Sequence, residues 1–306
     1  MQRTARSLLR TPRPGRGLCT ASLADRIAVV ELEGRGRGLV ATRPIAAGEQ
    51  LLECRPIAAV LKAGQLLPGA VPCEQCFAPT PVAESGGPAH CSASCSSAHM
   101  ASGASMLERV DLSELRELHR SQGRKFPLLI AQLLAGLFAE VKAGRVPTHW
   151  APLEFCFAEM EPEAMPQIEA EHATLCAAFE AAGLTNLSTL QMLMPLSRYA
   201  RLLGAAQLNA FELRTSTGLA ISCLLTPAAS CFNHSCAPNA LVACGDSARS
   251  ISFVAGSDVA QGEELCISYV DTESPGEDRR HLLLHKYGFR CTCSRCAAES
   301  APIIER

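Results

Sequence analysis

Apolar residues after position 26 fall in short runs, which is the pattern of strands separated by turns. Ile27 to Val30 predicts a β-strand, and two more are predicted at Leu39 to Thr42 and at Gln50 to Cys54. Between the first two, Gly34 to Gly38 predicts a glycine-rich turn. A stretch rich in Pro, Gly, Ser and Cys follows from Gly64 to Ser102 and has almost no periodic pattern.

The middle of the chain changes to helical spacing. Apolar residues recur every three or four positions, which predicts helices around Leu112, Leu115 and Leu118 and from Leu129 to Val141. Further helices are predicted from Pro166 to Ala182 and from Pro195 to Leu208. Together they predict a helical insert over residues 105–208. Its longest apolar stretch, Phe126 to Phe138, still contains Gln132 and is too short for a membrane span.

Strand signals return after the helical insert. Short β runs are predicted at Leu219 to Leu225, Ala240 to Cys244, Ile251 to Val254 and Leu265 to Val270. A short helix and a cysteine-rich tail are predicted from Arg279 to Ala298. The predicted fold class is therefore mostly β, with short strands in small sheets and a large α-helical insert. Its loop regions would be held together by bound metal ions.

Composition and charge narrow the possible functions. The 306 residues are 48% hydrophobic and 19% charged, which excludes a chain that is disordered as a whole. The 28 basic and 30 acidic residues give a net charge of −2. Because nucleic-acid binding needs a basic surface, no direct nucleic-acid binding is expected, and a basic peptide is the better partner.

The first 24 residues differ from the rest of the chain. They contain five arginines and no acidic residue, since the first acid is Asp25. This composition is typical of a mitochondrial or chloroplast transit peptide. The alternative is a disordered basic tail, and with it a nuclear or cytoplasmic protein.

Sixteen cysteines, grouped in close pairs, favour metal binding in a reducing compartment. Two pairs, Cys73 with Cys76 and Cys91 with Cys95, fit one tetrahedral zinc site with four thiolate ligands. They are called the module cluster below. Their loop-rich surroundings cannot build a core, so a metal would hold them together.

A second group of cysteines lies near the end of the chain. Cys291, Cys293 and Cys296 supply three ligands, and a tetrahedral zinc needs a fourth. Cys236 is the candidate, because its sequence is polar and turn-like, and we expect it to be exposed to a partner. These four residues are called the tail cluster below.

Three segments carry the sharpest chemical signal. They are Gly34-Arg35-Gly36-Arg37-Gly38-Leu39, Asn233-His234-Ser235-Cys236-Ala237-Pro238-Asn239, and Gly262 to Tyr269 followed by Tyr287-Gly288-Phe289-Arg290-Cys291. In this order they resemble the SET-domain protein lysine methyltransferases. The chain is most similar to the SET-and-MYND subfamily and to small trithorax-related SET proteins of plants and algae.

The resemblance implies a domain organisation. A split SET domain would occupy residues 25–275, interrupted by a zinc-binding MYND-like insert at 64–102 and by the helical insert at 105–208. A post-SET cysteine tail would cover 276–298, and 299–306 would be a terminal tail. A full MYND module binds two zinc ions, whereas only one ligand set is present here, so we expect a reduced module with one zinc. Two structural zinc ions are expected in all.

The resemblance also implies residue roles, with S-adenosylmethionine as the cofactor. Tyr269 matches the tyrosine at the methyl-transfer centre, and Tyr287 a second tyrosine that lines the lysine channel. Tyr269 also counts among the cofactor-binding residues. The other residues implied to bind the cofactor are Arg35, Gly36, Arg37, Asn209, Asn233, His234 and Phe289.

The implied function is transfer of a methyl group to a lysine side chain of a protein, either a histone or a non-histone protein. We expect a monomer that has a protein partner and no membrane span. The alternative is a non-catalytic, zinc-containing SET scaffold that acts as a protein-interaction module. It would bind little cofactor, and loss of Tyr269 would not matter to it.

Overall fold

A computed structural model describes residues 9–10, 25–65, 67, 69–81, 89–146, 155–245 and 250–300. The predicted transit peptide therefore lies outside the described residues, except for positions 9–10. Residues 301–306 lie outside them as well. Among the described residues, no helix has both the length and the apolar character that a membrane crossing requires.

Short strands come first along the described chain, helices occupy its middle, and strands return after them, as the sequence predicts. The strands are β1 (Leu9–Arg10), β2 (Ile27–Leu32), β3 (Gly36–Ala41), β4 (Gln50–Cys54), β5 (Ala58–Leu61), β6 (Val71–Pro72), β7 (Pro79–Thr80), β8 (Phe157–Ala158), β9 (Phe211–Arg214), β10 (Ala220–Leu224), β11 (Asn233–His234), β12 (Ala240–Cys244), β13 (Ile251–Ala255) and β14 (Glu264–Ile267). The α-helices are α1 (Ala93–Ala101), α2 (Ser113–Gln122), α3 (Phe126–Lys142), α4 (Met165–Ala181), α5 (Leu187–Leu193), α6 (Leu196–Asn209), α7 (Gly276–Tyr287) and α8 (Ser294–Ser300). The predicted combination of short strands and a helical insert is confirmed.

The chain forms two compact units. The first takes sequence from both ends, with residues 1–54, 227–243 and 252–306. The second consists of residues 55–226 and 244–251. The predicted helical insert and the cysteine-rich loop stretch both belong to the second unit, and the sharpest motifs belong to the first.

In the first unit, β3 is a central strand of a four-stranded sheet with the order β11-β14-β3-β2. It pairs antiparallel with β2, where Val29 lies opposite Leu39, and with β14, where Leu265 also lies opposite Leu39. Leu39 and Leu265 are fully buried in the core. A second sheet in this unit has the order β12-β13-β4.

The glycine-rich turn is shorter than the sequence predicts. Strand β3 begins at Gly36, not at Leu39, and the tight turn is confined to residues 33–35. Gly36 lies opposite Leu32 and Gly38 opposite Val30, so pairing with β2 outweighs the weak strand preference of glycine. The predicted bounds of this strand were wrong for that reason.

The second unit has a helical core built by α3, α4 and α6 around fully buried side chains such as Leu129, Leu134 and Phe179. Strand β5 lies at the edge of the sheet β5-β10-β9. The amide of Gln132, inside the apolar helix α3, accepts from the N–H of Ala59 at 2.8 Å and donates to its carbonyl at 2.7 Å. The one polar residue of that apolar stretch therefore satisfies the free edge of β5.

The loop-rich stretch is more ordered than its sequence suggests. It contains the hairpin β6–β7 and the helix α1, which the sequence did not predict. Alanine and serine fill α1, so it carries no apolar stripe that could signal a helix. Its start is set by Ser92, whose side chain accepts from the N–H of Cys95 at 3.2 Å.

Candidate functional site

Arg35 ties the β2–β3 turn to two other segments of the first unit. Its guanidinium donates to the carbonyl of His234 at 2.9 Å and forms an ion pair with Glu264, also at 2.9 Å. The pair is partly exposed, so it fixes geometry more than it adds stability. The first and third sequence motifs therefore meet through Arg35.

Asn233 completes this contact from the middle motif. Its side-chain amide donates to the carbonyl of Arg37 at 3.1 Å and to the carboxylate of Glu264 at 2.9 Å. A Cβ at Gly38 would lie 2.9 Å from that amide nitrogen and 2.3 Å from a methyl carbon of Leu32. Position 38 is therefore a glycine because the Asn233 amide approaches the backbone there.

Asn239 fixes the strand that leads to Tyr269. It accepts from the N–H of Cys266 at 2.8 Å and donates to the carbonyl of Glu264 at 2.9 Å. Strand β11 runs parallel to β14, with Asn233 opposite Cys266 and His234 opposite Ile267. Both ends of the middle motif thus hold β14 in place.

His234 is buried at the centre of this arrangement. Its Nδ1 accepts from the N–H of Tyr269 at 3.0 Å, so the neutral ring carries its proton on Nε2, which lies 3.3 Å from the sulfur of Cys236. Burial, together with the positive charges of Arg35 and Arg279, lowers the pKa of His234 to about 4. The imidazole is therefore uncharged at neutral pH and orients the backbone of Tyr269.

Three aromatic side chains cluster on one side of this histidine, and two of them, Tyr269 and Phe289, contact its ring. The hydroxyl of Tyr269 donates to the carbonyl of Phe232 at 2.7 Å, and burial raises the pKa of that hydroxyl well above its usual range. The ring centroid of Tyr269 lies 4.9 Å from that of Tyr287 and 6.5 Å from that of Phe289. Phe289 also lies 6.0 Å from the ring of His234.

Comparison with known families identifies this arrangement. The family described as "SET domain" matches residues 36–270, which is more than half of the chain. The chain belongs to the SET-domain family. The resemblance proposed from the motifs is confirmed. The matched part of the chain includes the motif residues from Gly36 to Asn239, and also Tyr269.

Relatives of this SET-domain chain are known. A "SET and MYND domain-containing protein" of Dictyostelium discoideum is 29% identical over 123 residues, which are 39% of this chain and 31% of that protein. A "Histone-lysine N-methyltransferase ATXR4" of Arabidopsis thaliana is 26% identical over 282 residues, covering 86% of this chain and 84% of that protein. The chain spans about a third or less of the first relatives that it matches.

A solved structure is also similar. It is described as "Crystal structure of the SET domain of LSMT bound to Lysine and AdoHcy". It matches this SET-domain chain with a TM-score of 0.43 and 14% identity, over 90% of this chain and 54% of that one.

The structure brings the tail cluster together in the first unit. The sulfur atoms of Cys236, Cys291, Cys293 and Cys296 all lie within 4.8 Å of one another, and those of Cys236 and Cys296 are 3.6 Å apart. Tetrahedral zinc–thiolate bonds of about 2.3 Å place sulfurs about 3.8 Å apart, so this group fits a zinc ion. Although desolvation opposes it, the N–H groups of Cys296 and Cys236 lower the pKa of Cys293 to about 6.

The expected exposure of Cys236 was wrong. Cys236 is only 1% exposed and packs with Leu283 of α7 and with Cys296. The polar turn residues around it contact the backbone: the hydroxyl of Ser235, for example, both accepts from the N–H of Ala237 and donates to its carbonyl. A polar local sequence therefore does not imply an exposed thiol.

The module cluster forms in the second unit. The sulfur atoms of Cys73, Cys76, Cys91 and Cys95 lie within 4.8 Å of one another, with Cys76 and Cys95 each 3.6 Å from Cys91. Three of these cysteines are buried, and among the described residues only Ala78 packs against them as a further hydrophobic residue. This donor set also fits zinc, which would replace the missing apolar core.

Asn209 lies at the end of α6 in the second unit. Its amide donates to the carbonyls of Cys156 at 2.6 Å and Ala205 at 2.7 Å. Its role in cofactor binding stays a prediction.

Sequence reasoning missed four residues of the first unit that hold the site together. Glu264 and Asn239 lie within the quoted motifs, so both could have been selected as site residues from the sequence. Arg279 and Glu299 carry no local signal, because their contact joins two helices that are twenty positions apart. Glu299 also shows that α8 extends two residues, to Ser300, into the predicted terminal tail.

Proposed function

We propose that this protein is a protein-lysine N-methyltransferase that uses S-adenosylmethionine. One observation carries the proposal: the Tyr269 hydroxyl donates to the Phe232 carbonyl, and the Tyr269 ring lies 4.9 Å from the ring of Tyr287, beside an uncharged His234. Membership of the SET-domain family and a relative named a histone-lysine N-methyltransferase support it.

The chemistry fits these residue types. S-adenosylmethionine supplies an electrophilic methyl group on a sulfonium, so the acceptor must be a neutral amine aligned with that carbon. Aromatic walls from Tyr269 and Tyr287 desolvate a lysine and favour its neutral form. A phenol that stays protonated and a backbone carbonyl orient the amine without competing as nucleophiles.

Cofactor binding is assigned to the contact between the three motifs. Arg35, at the turn before Gly36, and Asn233 both contact the carboxylate of Glu264. Asn233 also donates to the carbonyl of Arg37, and Arg35 donates to that of His234. Phe289 offers a ring face for the adenine.

The substrate is proposed to be a lysine in a basic segment of a histone or a non-histone protein. We propose that the chain acts as a monomer. We also propose that it does not bind nucleic acid directly, because its net charge is slightly negative. The arginine-rich first 24 residues favour a mitochondrion or a chloroplast over the nucleus or cytoplasm. An organelle location would in turn favour non-histone substrates.

The decisive experiment is transfer of tritiated methyl groups from S-adenosylmethionine by the full chain. Core histones and an extract of organelle proteins are the substrates, and Tyr269→Phe is the test variant. We expect labelling that the variant lowers at least about a hundredfold, because the hydroxyl that orients the amine is gone. A labelled histone would favour the nucleus, and a labelled protein of the organelle extract would favour the mitochondrion or chloroplast.

Calorimetry with S-adenosylmethionine serves as the control on the same proteins. Tyr269→Phe should bind the cofactor with nearly the wild-type affinity, since its hydroxyl contacts the Phe232 carbonyl. No labelling and no cofactor binding by the wild-type chain would refute the enzyme and favour a non-catalytic SET scaffold. Equal labelling by wild type and variant would refute the role of Tyr269.

A further inference from the structure

Glu299, on α8 of the first unit, gathers three arginines around one carboxylate. Arg279 donates to both of its oxygens, at 2.8 and 2.7 Å, and Arg295 donates to one of them at 3.0 Å. Arg280 lies 3.6 Å from it. These contacts lower the pKa of Glu299, with the Arg279 hydrogen bonds as the largest cause, so the carboxylate is charged at neutral pH.

Arg279 depends on this carboxylate because it is almost completely buried. The residue is 1% exposed, and its guanidinium also donates to the carbonyl of Ser274 at 2.5 Å. A buried guanidinium needs an anionic partner, and Glu299 is its ion-pair partner among the described residues. Position 276 is also adapted to the contact, since a Cβ on Gly276 would lie 2.3 Å from a Glu299 oxygen.

The contact lies next to the tail cluster. Leu283, one turn after Arg279 on α7, packs directly against Cys236 and Cys296. Arg295 donates to the carbonyl of Thr272 at 2.8 Å and approaches that of Cys236 at 3.4 Å. Glu299 therefore connects α8, which contains Cys296, with the segments that contain Cys236 and with α7, which ends at Tyr287.

We propose that Glu299 is a positioning residue of the tail cluster. Through Arg279 and Arg295 it holds α8 against α7, so that Cys293 and Cys296 meet Cys236 and Cys291 before a metal ion arrives. Outer partners of this kind change metal affinity without touching the metal. The same contact fixes the start of α7, the helix that ends at Tyr287, and so bears on the position of Tyr287; this second consequence rests on the proposed function.

The test measures zinc release from the zinc-loaded full chain to a chromogenic chelator. Glu299→Gln removes the charge and keeps the size, and Gly276→Ala displaces the carboxylate without changing any charged group. We expect both variants to release the tail-cluster zinc about tenfold faster than wild type. In a chain with Cys293→Ser, the zinc that is released comes from the module cluster alone. Adding Glu299→Gln to that chain should leave this release rate unchanged.

The matched control is Glu273→Gln, which makes the same change at an exposed glutamate with no ion pair among the described residues. Faster zinc release in this control, equal acceleration at both clusters, or no acceleration in Glu299→Gln would each overturn the proposal. The KM for S-adenosylmethionine and kcat are measured on the same samples. Faster zinc release in a chain that transfers no methyl group would uphold the positioning role and refute the proposed enzyme.

Discussion

Gly38 shows how much of the site depends on a single missing side chain. A methyl group there would meet Leu32 and the Asn233 amide, and that amide is already committed to Arg37 and Glu264. The role of a glycine in a strand is visible only when the opposing side chain is known.

Gly38→Ala should therefore push Asn233 out of its contact. We expect a loss of about 1–3 kcal/mol in the free energy of unfolding, because the core is overpacked, and at least a tenfold weaker affinity for S-adenosylmethionine. Urea denaturation and calorimetry measure the two effects. Gly245→Ala is the control, since a Cβ there meets no described atom within 4 Å. An unchanged affinity of Gly38→Ala for S-adenosylmethionine would show that Asn233 does not contribute to cofactor binding.

Single residues were predicted well where a motif names them and poorly where the environment decides. Seven of the eight metal-ligand candidates came from spacing and Cys236 from its turn-like sequence, and the structure gathers them in two groups of four. The burial of Cys236 was not predictable, because Leu283 and Cys296 cover it from positions 47 and 60 residues further along the chain. Glu299 was missed for the same reason.

Between elements, one side chain hydrogen-bonds α3 to the backbone of β5. Gln132 pairs with both the N–H and the carbonyl of Ala59, as a neighbouring strand would. The Gln132 amide therefore makes the two hydrogen bonds that the backbone of a further strand would otherwise make with Ala59.

Gln132→Leu should leave both backbone groups of Ala59 without a partner. We expect a loss of about 2 kcal/mol or more in the free energy of unfolding, although leucine is the more apolar residue. Urea denaturation measures it, together with faster hydrogen exchange at Ala59. Gln191→Leu, on an exposed position of α5, controls for the change of residue type. A stabilised Gln132→Leu chain would show that the double hydrogen bond contributes nothing.

Elements with a clear period were predicted almost to the residue. The helix expected from Pro166 to Ala182 runs from Met165 to Ala181, and Ala240 to Cys244 is a strand as expected. The start of β3 and the helix α1 were missed. Pairing with β2 determines the first, and the second is made of small residues whose pattern is neither helical nor extended.

At the scale of the whole molecule, each unit has its own four-thiol site. The full chain should therefore carry two zinc ions, and the two sites should be lost independently. Cys73→Ser should retain one ion and Cys293→Ser the other, as measured by elemental analysis of the purified chains. We also expect faster proteolysis of the loop-rich stretch in Cys73→Ser, because its described residues have almost no apolar core besides the cysteines. Loss of both ions from either variant would contradict separate sites.

The division of the chain also sets an order of events during its synthesis. Arg35 meets His234, which is 199 positions away, and the tail cluster needs Cys296, so the first unit cannot close until nearly the whole chain has left the ribosome. The second unit ends at residue 251, which is 45 positions before Cys296. At ordinary rates of translation the β2–β3 hairpin waits on the order of tens of seconds for its partner strand β14, with its edge open to chaperones.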